Sequence, residues 1–163
     1  MGLVADIVAT YRGPRRVVRR LLASGAQESR VLMYLMLSCA LIFVAQWPRL
    51  RREAHFDDAV PFDALVGGAL MGWIFIAPLA LYTIALLSHW IAAALGASGT
   101  PYGARLALFW ALLAAAPLWL FYGLVQGLIG TGAGQTAAGL VALLAFAIFW
   151  ASGFIETQWG RDA

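Results

Sequence analysis

The chain has 163 residues, 63% of them hydrophobic before its 17 glycines are counted, and only 12% are charged. Soluble domains are about 45–50% apolar with glycine included and about 25% charged, so a soluble globular domain, a disordered segment and a nucleic-acid-binding module are excluded. A single cysteine excludes a disulfide framework, a cysteine-ligated zinc site and an iron–sulfur cluster. All eleven basic residues are arginine, and they flank apolar runs, a pattern of membrane topology and not of a nucleic-acid-binding face.

The first thirty residues are mostly polar and precede any span. Leu3, Val4, Ile7, Val8 and Tyr11 form an apolar stripe at spacings of three and four. Next, Arg15-Arg16-Val17-Val18-Arg19-Arg20-Leu21-Leu22 alternates two basic with two apolar residues. On a helix this puts Arg15, Arg16, Arg19 and Arg20 on one face and the apolar residues opposite. Pro14 suits the first helical turn and Ser24-Gly25 suits the stop. In water the like-charged neighbours weaken such a helix, but near an anionic leaflet each arginine attracts by roughly 1 kcal/mol. The pattern predicts a basic amphipathic helix lying in the membrane interface, or against an acidic partner.

Four apolar runs are long enough to cross about 30 Å of hydrocarbon. They are Val31 to Trp47, Ala64 to Gly96 with Pro78 inside, Ala104 to Tyr122 or Gln126 with Pro117 inside, and Thr136 to Ile155. The second would measure roughly 50 Å as one straight helix, so it is expected to tilt, kink at Pro78, or project into the interface. The runs are continuous and rich in Leu and Ala, which argues against membrane strands. The expected organisation is therefore all-α: a cytoplasmic segment 1–30, a four-span bundle 31–156 and a tail 157–163. With an even number of spans, Arg12, Arg15, Arg16, Arg19, Arg20, Arg30, Arg105 and Arg161 share one side. Arg49, Arg51 and Arg52 lie on the other, together with Glu53, Asp57, Asp58 and Asp63. Eight arginines against three predict that both termini are cytoplasmic. Trp47, Trp90 and Trp159 fall at span ends, where an interfacial aromatic belt places them.

Little in the sequence carries chemistry. His55, in an expected loop from Pro48 to Asp63, has only acidic neighbours and lacks the converging ligand set that a metal requires. His89 follows Ser88 without an orienting acid, so the two make no triad and His89 reads as a hydrogen-bonded interface residue. No G-x-S-x-G or H-E-x-x-H motif is present. The span interiors hold no acid; Ser38, Cys39, Thr83, Gln126 and Ser152 are their polar residues, which argues against a coupled transporter and against haem ligation. Cys39 lies mid-run, with Ala40 to Ala45 still apolar behind it, and reads as a core residue and not a lipidation site. Five glycines between Gly127 and Gly139 follow no strand, which argues against a phosphate cradle. The expectation is no catalytic residue, metal or cofactor. Gly68-x-x-x-Gly72 and Gly123-x-x-x-Gly127 have the spacing of close helix–helix contacts, within the bundle or with another membrane protein.

Thr100-Pro101-Tyr102-Gly103-Ala104-Arg105-Leu106-Ala107-Leu108-Phe109-Trp110, with Pro117 beyond, resembles the centre of the Yip1-domain family. There a Gly-containing cytoplasmic turn and an aromatic lead into a span that opens on a basic residue and carries a later proline. The long preceding span and polar N-terminal segment are similar too, although family members usually have five spans. The resemblance implies a non-enzymatic membrane protein. Eukaryotic members bind small GTPases and shape vesicle traffic, an activity not carried over to this chain. Composition and short loops point to a bacterial inner membrane. The expected role is a scaffold or accessory protein whose partners are anionic lipids, a larger membrane complex or a second copy, with no nucleic acid. A peripheral subunit of a respiratory or photosynthetic complex and a small oligomeric transporter or channel stand as alternatives.

Overall fold

The computed structural model describes residues 2–56 and 60–160; Asp57, Asp58 and Arg161, with the end of the expected tail, lie outside the described residues. The chain is helical throughout, with no strand among the described residues. Two short helices, α1 (Leu3–Thr10) and α2 (Pro14–Ala23), precede α3 (Glu28–Phe56). The second span comprises α4 (Phe62–Leu70), a π-helical turn (Met71–Ile76) and α5 (Ala77–Ala94); α6 (Pro101–Leu128) and α7 (Ala133–Trp159) follow. Four helices, with α4 to α5 counted as one, are long and apolar enough to cross a membrane.

Each helix overruns its apolar stretch, and this revises several expected loops. The loop expected from Pro48 to Asp63 is largely the last turns of α3, which continues through Pro48 to Phe56. Pro48 cannot donate to the carbonyl four residues before it, yet a membrane helix tolerates this when neighbours pack against it. Beyond Pro48 the helix is reinforced by the Arg49–Glu53 ion pair (3.1 Å) and by Arg52, which donates to the Gly127 carbonyl (3.3 Å). The glycine-rich loop expected from Gly127 to Gly139 shrinks to residues 129–132, because Gly127 ends α6 while Gly134 and Gly139 belong to α7. Gly130, at φ +86°, makes the turn that L side chains rarely adopt. Similarly, α7 continues to Trp159, so residues 157–159 of the expected tail are helical.

The proline in the second span acts one turn upstream of itself. Pro78 has no N–H for the carbonyl four residues earlier, and the π-helical turn Met71–Ile76 ends just before it. Pro117 leaves α6 unbroken. Thr100 starts α6 by accepting from the Gly103 N–H through its hydroxyl (3.1 Å), with Pro101 at the first helical position.

α6 is the central element. Of its most apolar window 61% is buried, against 6% for α4 to α5, which marks the latter as the peripheral span. Ala104, Ala107, Ala111, Ala114, Ala115 and Ala116 are all essentially inaccessible, and their small side chains let α3 and α7 close on α6. Leu106, Phe109, Trp110 and Leu113 fill the space between them with Val31, Tyr34 and Leu35 of α3.

Candidate functional site

The sequence singles out the N-terminal arginine face, and the structure gives it an orientation that periodicity could not supply. Three contacts align α2 with α7. The Tyr11 ring meets Phe149 edge-on at 5.0 Å, a Cβ on Gly153 would stand 3.2 Å from a Val18 methyl, and Arg19 Nε lies 2.6 Å from Glu156 Oε1. The order 149, 153, 156 follows the order 11, 18, 19, so α2 runs upright beside the last turns of α7. The expectation of a helix lying in the plane of the leaflet is not confirmed: α2 packs along α7 instead. The physical reason is the apolar face itself. Val17, Val18 and Leu21 are buried against α6, α7 and the start of α3, where Gly153 and Ala107 leave room for them, so that face is covered by protein and not by lipid.

α1 and α2 form a hairpin with its tip at Tyr11-Arg12-Gly13. Trp110 of α6 donates through its indole to the Thr10 hydroxyl (3.1 Å), which itself donates to the Asp6 carbonyl (2.8 Å). Tyr11 donates through its hydroxyl to the Ala114 carbonyl (3.0 Å). Ala114 lies nine residues beyond Arg105 along α6, so the tip stands about 14 Å along α6 from Arg105. Backbone packed against the bundle is costly to leave unpaired. Accordingly the amides of Tyr11, Arg12 and Gly13 all donate to carbonyls of Val8 or Ala9, and Pro14 has none to satisfy.

Arg15, Arg16, Arg19 and Arg20 all face outward, away from Val17, Val18 and Leu21. Arg19 pairs with Glu156 and Arg20 with the largely buried Asp6, while Arg15 and Arg16 make no ion pair among the described residues. Arg15 lies one turn nearer the hairpin tip than Arg19, about 6 Å along the helix.

The glycine pairs divide. Gly123 and Gly127 lie where α6 crosses α3: a Cβ on Gly123 would enter the carbonyl of Ala45, and one on Gly127 would enter Pro48. Gly68 and Gly72 face open space, with nothing within 4 Å of a built Cβ. At the other end of α6, His89 Nδ1 is 2.9 Å from Gln158 Oε1, and the Gln158 amide donates to the Thr100 carbonyl (3.2 Å). The Gln158 backbone carbonyl accepts from the amides of Ser98 and Gly99 (3.2 and 3.1 Å). Gln158 is fully buried. Sequence reading left it in a polar tail, third in the polar run Glu156-Thr157-Gln158 after the last span, where nothing local marks it as buried. His55, at the end of α3, stacks edge-on against Phe56, and no cluster of metal-ligating side chains occurs among the described residues.

Comparison with family models, with curated proteins and with solved structures finds no match for this chain. What stands is the class: an all-helical protein with four helices able to span a membrane.

Proposed function

We propose that the chain is a non-enzymatic scaffold or accessory protein of a bacterial inner membrane, resembling the Yip1-domain family, with both termini cytoplasmic. It binds anionic lipid headgroups or an acidic partner through the α2 arginines. The observation carrying this reading is the exposure of Arg15 and Arg16, without an ion pair among the described residues, on a helix whose opposite face is anchored in the bundle. A charged face held rigid loses less side-chain and backbone freedom on binding than a loose tail does. A second reading, a subunit docked on a larger membrane complex, is favoured by the peripheral span α4 to α5, with Gly68 and Gly72 open on it.

The test is extraction in mild detergent, sizing of the particle, and mass spectrometry of co-purifying protein and lipid, for the natural chain and for Arg15→Gln with Arg16→Gln. Co-purified anionic lipid or acidic partner that drops in the variant, while all four spans stay inserted, supports the proposal. A large stoichiometric partner retained by the variant favours the docked subunit instead. An unchanged lipid and protein complement around a lone chain overturns both.

A further inference from the structure

Beyond the arginine face, we infer that the groove between α5 and α6 is a binding site for one anionic phospholipid, with an acyl chain along the groove and the phosphate at Arg105. The groove has a volume of about 350 Å³ and a predominantly apolar wall. Leu79, Thr83, Leu86 and Trp90 line it from α5, and Pro101 and Arg105 from α6. The edge-on contact of Tyr82 with Phe109 (5.0 Å) sets the two helices side by side below its head. From Trp90 down to Leu79 is eleven residues, about 16 Å along the helix, which is about half of the hydrocarbon thickness and so one leaflet deep. An open apolar groove at that depth is filled by an acyl chain in any bilayer, so the specific question is which headgroup stands above it.

The head of the groove answers with charge. Arg105 lies in the first turns of α6, at the positive end of a 28-residue helix. One of its guanidinium nitrogens pairs with Glu28, while Nε is buried with no acceptor. A buried donor without a partner carries a desolvation penalty that an anionic oxygen relieves. Glu28, 62% exposed, is the one acid paired with Arg105 among the described residues, so it competes with a phosphate from the solvent side. Trp90, 59% exposed, lines the same groove from α5, where an indole is suited to anchor beside a lipid headgroup.

The experiment uses the full chain in phosphatidylcholine vesicles containing a minor fraction of phosphatidylglycerol brominated on its acyl chains. Quenching of Trp90 fluorescence is read as the difference between the protein and its Trp90→Phe variant, and is compared with that from brominated phosphatidylcholine at the same fraction. The expected preference for the anionic lipid is about fivefold, the equivalent of about 1 kcal/mol for one arginine at the surface. Arg105→Gln should abolish the preference, and Glu28→Gln, which leaves Arg105 in place, should raise it. Arg15→Gln with Arg16→Gln should leave it intact, which separates this site from the α2 face. Equal quenching by the two lipids, or a preference unmoved by both Arg105→Gln and Glu28→Gln, overturns the assignment. Absence of Trp90-specific quenching, as when a second copy fills the groove, overturns it as well.

Discussion

The docking of the N-terminal hairpin makes a quantitative claim that a double truncation can break. Val18 is 1% exposed and Leu21 7%, and both point into the seam between α6 and α7. Leu→Ala at a buried site costs about 2–5 kcal/mol, and removing two methyl groups from valine costs about 1.5 kcal/mol at roughly 0.8 kcal/mol per carbon. For Val18→Ala with Leu21→Ala the sum is about 4 kcal/mol, taking the lower part of the leucine range because Leu21 keeps slight exposure. That shifts the docking equilibrium about a thousandfold toward the open hairpin. Trypsin reads this directly, because Arg15, Arg16, Arg19 and Arg20 are all cleavage sites on α2 and cleavage requires the helix to open. Where opening and reclosing are fast, the cleavage rate follows the open population. In sealed vesicles with the N-terminal side accessible, the variant should therefore be cut hundreds to about a thousand times faster than the natural chain. Val8→Ala, at an outward position that is 55% exposed, should leave the rate unchanged. An increase under about tenfold, with the bundle intact, would refute the buried seam and return α2 to the leaflet surface.

Other consequences are simpler to state. Gly123→Leu or Gly127→Leu forces α3 away from α6 and should lower the thermal stability of the detergent-solubilised protein by about 1–3 kcal/mol or more. Gly68→Leu and Gly72→Leu should stay within about 0.5 kcal/mol in the same melt, since nothing stands within 4 Å of either Cβ. Equal losses at the two pairs would show that α4 is packed after all. Gln158→Leu leaves the part-buried His89 Nδ1 without its partner and the Thr100 carbonyl with only the Ala104 amide, at about 1 kcal/mol. It should speed hydrogen exchange across residues 95–100, and unchanged exchange would remove Gln158 from its tethering role. Trp110→Phe deletes the indole donor to Thr10 and should destabilise hairpin docking by about 0.5–1.5 kcal/mol, read in the same trypsin assay.

The four spans were legible because lipid imposes a single demand, a long continuous apolar run, that no other local signal contradicts. Helix ends were less so. Pro48 read as a loop residue, yet it lies within a helix, and its ring packs into the space left by Gly127, which the G-x-x-x-G spacing had marked for helix packing. Only the pairing of α3 with α6 makes Pro48 compatible with helix, and the pairing is not local information. The arginine face of α2 followed from its period of four, but the tilt of the helix did not. That depends on Gly153 and Ala107 being small more than 80 residues away, and on Trp110 and Ala114 offering a donor and an acceptor at the right height. Gln158 was missed because a buried glutamine after a span looks the same in sequence as a solvated one.

The upright hairpin also has a timing. Its anchors on α7, from Phe149 through Gly153 to Glu156, follow the α2 arginines by more than 120 residues in the chain. Until α7 has been made, Arg19 therefore lacks its carboxylate partner. Val17, Val18 and Leu21 meanwhile have no seam to enter. Docking of the hairpin on α7 therefore follows the synthesis of α7, and it reports the direction of that helix: an inverted α7 would carry Glu156 to the opposite end of the bundle, out of reach of Arg19.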